Sequence, residues 1–405
     1  MLKGKKIVLG ITGGIAAYKS AELTREFVKR GADVKVIMTG NATEFIAPLT
    51  LQTLSGNPVY MDMFLPADKS EISHISLADE ADILIIAPAT ANIIGKIASG
   101  LADDLLSTTV MATNAPVLIC PAMNTNMYTN DIVKQNISKL ASKNYFFIEP
   151  GHGELACGTE GPGRLPPLED IVEEVESILT KSDLAGEKIL ITAGPTQEPF
   201  DPVRYITNYS SGKMGYALAT MARRRGAEVT LISGPTSLPE PFGVKFLQVS
   251  STIEMRNAVM NNMEDSTIII KAAAVADFRP AAISDDKIKK GDGSLSVRLE
   301  RNPDIISEVG KMKGDRILVG FAVETENLIE NARGKMTEKN MDIIVANDVT
   351  QDGAGFRTDT NIVKILDRKG GVEEVPLLDK IEVAERILDR IKAMKDKGLK
   401  QKSEG

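Results

Sequence analysis

The sequence has no tryptophan, and only two cysteines and two histidines among 405 residues. Two thiols, Cys120 and Cys157, and two imidazoles, His74 and His152, supply neither a disulfide framework nor a zinc or iron–sulfur ligand set. Such cysteine usage places the chain, as an expectation, in the cytoplasm. No apolar run reaches the ~18 residues that cross a bilayer, so no membrane partner is expected. Lys3, Lys5 and Lys6 before an apolar run imitate a signal peptide. Gly13-Gly14 interrupts that run without a cleavage pattern, and strand, turn and helix is the better reading. Basic charge is also scarce: the net charge of −7 removes nucleic acid from the expected partners and requires that any anion be met by a local basic site. What is present is ordinary globular material, with 43% hydrophobic and 25% charged residues. It spans more length than one core fills, so two domains are expected.

An internal echo defines those domains. Lys6-Ile7-Val8-Leu9-Gly10-Ile11-Thr12-Gly13-Gly14 parallels Lys188-Ile189-Leu190-Ile191-Thr192-Ala193-Gly194. Each is followed by a helical stretch, Ala17 to Arg30 and Gly215 to Arg225, and then by Gly31-Ala32-Asp33-Val34 or Gly226-Ala227-Glu228-Val229. Strand, glycine turn, helix, glycine stop and second strand is the βαβ grammar of a doubly wound parallel sheet. The expected class is α/β with two Rossmann-like domains, the first flavodoxin-like. Further buried strands are predicted at Ile83–Ala87, Val117–Cys120, Ile268–Ile270, Ile317–Val319 and Ile343–Val345, with Ile362–Leu366 an antiparallel edge. Residues 150–167 read as a Gly/Pro-rich loop, Lys181 to Glu187 as a linker, and the charged tail from Lys392 as a fraying end.

In the first half, Gly13-Gly14 frees backbone N–H groups to hold a phosphate, although a tight turn without ligand explains the pair equally well. The turn lacks GxGxxG, and the second strand ends Met38-Thr39-Gly40 without an acidic residue, which favours a mononucleotide such as FMN over NAD. After the strand at Val117, Ala122 and Met123 are placed to pack on a flat ring and Asn124 to bind a carboxylate. An Asx turn capping a helix is the competing reading of Asn124. His74 reads by itself as a cap or surface histidine and Cys120 as core packing. Cys157 lies among glycines and carries a proton it can deliver at neutral pH, or is an incidental loop thiol.

Taken jointly, Thr12 to Lys19, His74, Pro88-Ala89-Thr90-Ala91-Asn92, Gly100 to Leu106, Pro121 to Met127 and Ala156-Cys157-Gly158 resemble the phosphopantothenoylcysteine decarboxylases, within the homo-oligomeric flavin-containing cysteine decarboxylases. Tyr128 departs from the family's usual tryptophan. The resemblance implies an FMN-dependent domain over residues 1–182, with FMN held by Gly13, Gly14, Ile15, Thr39, Thr90, Ser107, Ala122 and Met123. It implies His74 as acid/base, Asn124 as carboxylate binder and Cys157 as proton donor in a reductive step, with the Gly/Pro segment as a lid. Losing CO2 from a C-terminal cysteine leaves a carbanion that needs an external electron sink, which is the family's use for the flavin.

In the second half, Asn208 to Gly215 supplies hydroxyls, a glycine turn and a cation at a helix start. That suits a phosphate or simple helix capping. Small residues in Ala272-Ala273-Ala274 and Asp277 follow a buried strand, where ligands approach closely. Lys287, Lys289, Lys290, Arg298 and Arg301 form a basic run, either a solvated face or a means to neutralise a triphosphate, and Lys335 and Lys339 share a helix face. These stretches, with Asn302-Pro303-Asp304-Ile305 and Gly320 to Thr325, resemble the CTP-using phosphopantothenate–cysteine ligases. The resemblance implies a ligase over residues 186–405 that takes 4′-phosphopantothenate, L-cysteine and CTP, with Mg2+. It implies CTP contacts from Ala272, Ala273, Ala274, Asp277, Lys287, Pro303, Asp304, Ile305, Ile306, Phe321, Lys335 and Lys339, and a role for Asn208 in converting the acyl-cytidylate. No metal ligands are assigned. Decarboxylase followed by ligase is the order of the Dfp-type bifunctional coenzyme A biosynthesis family, which implies a homo-oligomer of decarboxylase trimers and ligase dimers, up to a dodecamer. The competing class is a non-catalytic flavoprotein regulating a partner, which leaves the ligase half unexplained.

Overall fold

The computed structural model describes residues 2–64, 73–156, 158, 160–289, 295–324, 328–348 and 358–403. The chain divides into two units, Met1–Thr180 and Lys181–Gly405. The first carries β1 (Lys6–Ile11), β2 (Asp33–Met38), β3 (Val59–Tyr60), β4 (Ile83–Ala89), β5 (Val117–Pro121), β6 (Phe146–Phe147), β7 (Gly151–Glu154) and β8 (Glu160–Arg164). The first six form one parallel sheet in the order β3-β2-β1-β4-β5-β6. Strand β4 is buried along its whole length, as a strand covered by helices on both faces must be.

The second unit carries β9 (Lys188–Ala193), β10 (Gln197–Pro199), β11 (Tyr205–Thr207), β12 (Glu228–Ser233), β13 (Lys245–Gln248), β14 (Ile268–Lys271), β15 (Phe278–Pro280), β16 (Leu299–Arg301), β17 (Ile317–Glu324), β18 (Ile343–Asp348), β19 (Thr360–Asp367) and β20 (Val372–Asp379). Eight of these make the main sheet, β13-β12-β9-β14-β17-β18-β19-β20. Its six parallel strands repeat the order of the first unit, so the echo in sequence is an echo in topology. Both units are α/β and Rossmann-like, and in each the chain reverses its winding at the first strand, leaving a crevice at the strands' carboxyl ends.

The two faces of the second sheet are filled separately. Ile268 and Ile270 pack with Leu218, Met221, Ile387 and Leu388, whereas Ile269 packs with Met255, Val259, Ile305 and Val309 on the other face. That is the period-2 alternation of a strand between two helical layers.

Several expectations are corrected here. The edge strand is Val372–Asp379, not the segment at Ile362: β19 pairs antiparallel with both β18 and β20, and the exposed Glu374, which pairs with Lys364, charges the true edge against further pairing. Gly151–Glu154 and Glu160–Arg164 pair as antiparallel strands where an irregular loop was expected. The tail does not fray at Lys392. Helix Lys380–Ser403 continues because Ile387, Leu388 and Ile391 are fully buried and Arg225 ties Asp183 at 2.8 Å to Asp389 at 2.7 Å. The first helix opens as a 3-10 turn, Ile15–Tyr18, before its α-helical part, Lys19–Lys29. Among the described residues, no helix is long and apolar enough to cross a membrane.

Candidate active sites

At the crevice of the first sheet, Thr12 staples two loops together. Its buried hydroxyl donates to the Pro88 carbonyl at 2.8 Å and accepts from the Thr90 amide at 3.1 Å. A Cβ on Gly13 would stand 2.8 Å from the Asn41 backbone, so close approach of that loop requires glycine there. Gly14 has an open side, with only Thr90 Cγ2 within 4 Å of a Cβ at that position. The hairpin closes the far wall. The Met123 amide donates to the Gly163 carbonyl at 2.9 Å, and Gly163, with φ +147°, has no space for a side chain beside the Met123 carbonyl.

The result is a cavity of about 490 Å3 that brings together Gly13, Gly14, Ile15, Thr90, Ala122, Met123 and Asn124. Its few charges are Lys19, Glu154 and Arg164. Asn124 does cap the helix Thr125–Tyr128, its side-chain oxygen accepting from the Asn126 amide at 2.8 Å, so the Asx reading describes part of its work. Three predicted residues do not line this cavity. Thr39 precedes the turn Gly40–Glu44 without a side-chain capping bond and donates its amide to the Ile11 carbonyl at 3.0 Å. Ser107 is fully buried in a capping box with Asp104. His74 sits in the first turn of helix Ser73–Glu80, half-buried, with Nδ1 buried and without a hydrogen-bond partner among the described residues. Cys157 lies outside the described residues. Cys120 is buried, which pushes its thiol well above the ordinary range and leaves it inert.

The second crevice is built differently. Asn208 donates to the carbonyls of Ala274 and Val275, both at 3.2 Å, fixing the turn after β14. Asn302 donates to the Ala276 carbonyl at 2.9 Å and to the Thr252 hydroxyl at 3.2 Å, and Thr252 in turn donates to the buried Glu198. This polar network is satisfied at each of those contacts, so the turn is held rigidly. Helix Lys213–Arg224 begins at Gly212 in a left-handed conformation with no side-chain cap. The serine pair is therefore not its N-cap; Ser210 instead accepts from the Gly212 amide at 3.3 Å.

The cavity here, about 660 Å3, gathers Asn208 and all the residues expected to meet CTP except Lys287. Lys287 is exposed on a segment pinned through Ile288 to Asp201 and Arg204. Sequence reasoning missed four lining residues: Lys271, Lys380, Asn347 and Asn361. Lys271 had one visible signal, a charged residue flush against the apolar run Ile268-Ile269-Ile270. Asp304 caps helix Ile305–Met312 through the Ser307 amide at 3.1 Å and pairs with Lys339 at 2.9 Å. Burial alone would raise the Asp304 carboxyl, but these partners hold it below the usual range.

Two family models divide the chain between them. The model described as Flavoprotein matches residues 1–180. That for the DNA/pantothenate metabolism flavoprotein C-terminal domain matches residues 184–394. The chain is 51% identical over 398 residues to the coenzyme A biosynthesis bifunctional protein CoaBC of Bacillus subtilis, covering 97% of this chain and 98% of the relative. The chain belongs to this bifunctional coenzyme A biosynthesis family. The Escherichia coli K12 member is 48% identical over 396 residues, covering 96% of this chain and 97% of its own. A crystal structure of the C-terminal domain of such a protein matches 54% of this chain and all of that one, at 45% identity and TM-score 0.47. Membership of the family accounts for the two switch-point cavities in one chain.

Proposed function

We propose that the second unit couples 4′-phosphopantothenate to L-cysteine at the expense of CTP, and that the first unit decarboxylates the 4′-phosphopantothenoylcysteine so formed to 4′-phosphopantetheine. The observation that carries this reading is one chain with two cavities of opposite chemistry at equivalent crevices. One is a cationic cavity for charged substrates, and the other is lined by small and apolar residues suited to a flat ring.

In the ligase half a carboxylate is a poor electrophile, so CTP converts it to an acyl-cytidylate and pyrophosphate leaves. The cysteine amine then displaces CMP. Lys335 and Lys339 meet the phosphates and offset the charge that develops on the leaving group. Asp304 holds Lys339 in place. Asp277, Phe321, Pro303, Ile305, Ile306 and the Ala272 to Ala274 turn shape the nucleotide site, and Asn208 stands beside that turn to serve the conversion of the acyl-cytidylate. Lys287 reaches the nucleotide from its exposed segment. Mg2+ would offset the charge of the nucleotide's phosphates.

The first cavity fits FMN in size, in its open glycine side and in the apolar platform of Met123. Gly13, Gly14, Ile15, Thr90, Ala122 and Met123 would hold it there, and Thr39 and Ser107 are assigned to the same cofactor. Bound FMN supplies a temporary two-electron sink, without which loss of CO2 leaves a localised carbanion. Asn124 orients the substrate carboxylate, the hairpin excludes water, and Cys157 returns a proton to carbon. His74 does not line the cavity of its own chain, and we assign it as acid/base to the cavity of a neighbouring subunit in a homo-oligomer of decarboxylase trimers and ligase dimers, together a dodecamer. The enzyme is assigned to the cytoplasm.

A nucleotide panel tests the whole reading. With 4′-phosphopantothenate and cysteine both present, CTP is expected to give pyrophosphate, then CO2. Pyrophosphate release that ignores cysteine, or no product with any nucleoside triphosphate, overturns it.

A further inference from the structure

Lys271 is the last residue of β14, a central strand of the eight-stranded sheet, and its side chain follows Ile269 onto the face of Met255 and Ile305. It is 7% exposed, and its ammonium lies 4.0 Å from the Met255 sulfur. That thioether is its one hydrogen-bonding partner among the described residues. Among the described residues, no carboxylate stands within ion-pair distance. The nearest acidic influence is Asp304, which is already committed to Lys339 and to the Ser307 amide. The other charged groups lining the same cavity are Lys335, Lys213, Lys380 and Asp277, so cations outnumber carboxylates around it.

An uncompensated ammonium in such a place is costly. Burial pushes this amine down to about 7, against a weak opposing pull from Asp304. If packing alone were required, Met or Leu would fill the same space beside Met255 without that cost. The amine is useful only when something anionic arrives in the cavity it lines, between the Ala272 turn and the start of helix Ile305–Met312.

We propose that Lys271 is a binding residue for the phosphate chain of the ligase's nucleotide, a cation completed by its ligand: it takes a proton from solvent as the anion enters and gives it back when pyrophosphate leaves. This deepens the ligase reading above and rests on it. The proton balance is closed by solvent, and no other reactant is needed. The consequence is a local countercharge present while nucleotide is bound and largely withdrawn when the site empties, which eases release of a highly charged product.

The test is titration calorimetry of the full-length protein with CTP at pH 7.5, in buffers of different ionisation enthalpy, for wild type, Lys271→Met and Lys271→Arg. The wild type should take up about three-quarters of a proton per nucleotide more than Lys271→Met, as expected when a group half-charged near pH 7 becomes fully charged. Lys271→Met should bind CTP roughly ten- to a hundredfold more weakly, the loss of a charge-assisted contact, while melting no lower than the wild type. Lys271→Arg should retain binding but lose the proton uptake, because a guanidinium is charged throughout. Equal affinity and equal proton uptake in wild type and Lys271→Met would overturn this inference while leaving the ligase intact. A wild-type chain that binds no nucleotide and forms no amide would instead overturn the ligase reading, and this inference with it.

Discussion

The two halves of this chain place their cavities at the same point of the same strand order, yet fill them with different chemistry. The first cavity is walled by Gly13, Gly14, Ala122 and Met123 with a single lysine, Lys19. The second has five lysines, Lys213, Lys271, Lys335, Lys339 and Lys380, against two carboxylates. A doubly wound sheet supplies the crevice, and the loops after its strands decide what enters. The difference also lies in how each wall is fixed. The first is held by backbone contacts around glycines and by Thr12, the second by a buried side-chain network through Glu198, Thr252 and Asn302.

The sharpest way to separate the halves is Cys157→Ser. If Cys157 is the proton donor proposed above, its removal is expected to lower CO2 release from supplied 4′-phosphopantothenoylcysteine by about 10²- to 10⁴-fold. CTP-dependent pyrophosphate release should be untouched, and a parallel loss of both activities would break the division of labour between the halves. The converse variant is Lys335→Ala with Lys339→Ala. It should raise the KM for CTP by roughly ten- to a hundredfold through lost charge-assisted contacts, with decarboxylation of supplied substrate unchanged in the same preparation.

The smallest expected effect comes from a feature that both halves share. Asp104 caps helix Leu105–Ala112 and pairs with Lys96 at 2.7 Å, as Asp304 caps Ile305–Met312 and pairs with Lys339. For both carboxyls burial acts upward, but the lysine and the capped amide prevail and lower them. Their folded-state values therefore lie below the unfolded ones. Each contributes stability that is present above about pH 4 and lost as pH falls through the depressed folded value. Asp104→Asn and Asp304→Asn should each cost no more than about 1 kcal/mol near neutrality, since asparagine still caps, and should flatten the fall in Tm between pH 5 and 3. Only Asp304→Asn should also weaken CTP binding, because it releases Lys339; equal effects on CTP would mean that the echo is not confined to structure.

Much of this was legible without coordinates, because the relevant signals are local. Apolar runs such as Ile83 to Ala87 and Ile268 to Ile270 announce strands buried on both faces, and the repeated strand-turn-helix openings announce two parallel sheets. The stretches around Asn208, Ala272 and Asn302 were visible as separate motifs. Their convergence on one cavity was not, since it depends on three loops far apart in sequence meeting at one sheet edge. Lys271, just beyond the apolar run Ile268 to Ile270, and Lys380, far along the chain, carry no local signal that ties them to that cavity. The pairing of Gly151–Glu154 with Glu160–Arg164 was hidden by its glycines, which lower strand propensity but at Gly163 permit the close approach of the Met123 carbonyl.

By itself the sequence determined the division into two α/β units, the acidic balance that confines anion binding to local sites, and the family to which the chain belongs. These follow from periodicity, composition and contiguous motifs, which survive in one dimension. Only the tertiary structure decided which cations surround the second cavity, that Asp304 is occupied by Lys339, and that Lys271 is buried with no ion-pair partner among the described residues. Burial and pairing are properties of neighbours in space, and a lysine's charge is set by those neighbours rather than by its place in the chain.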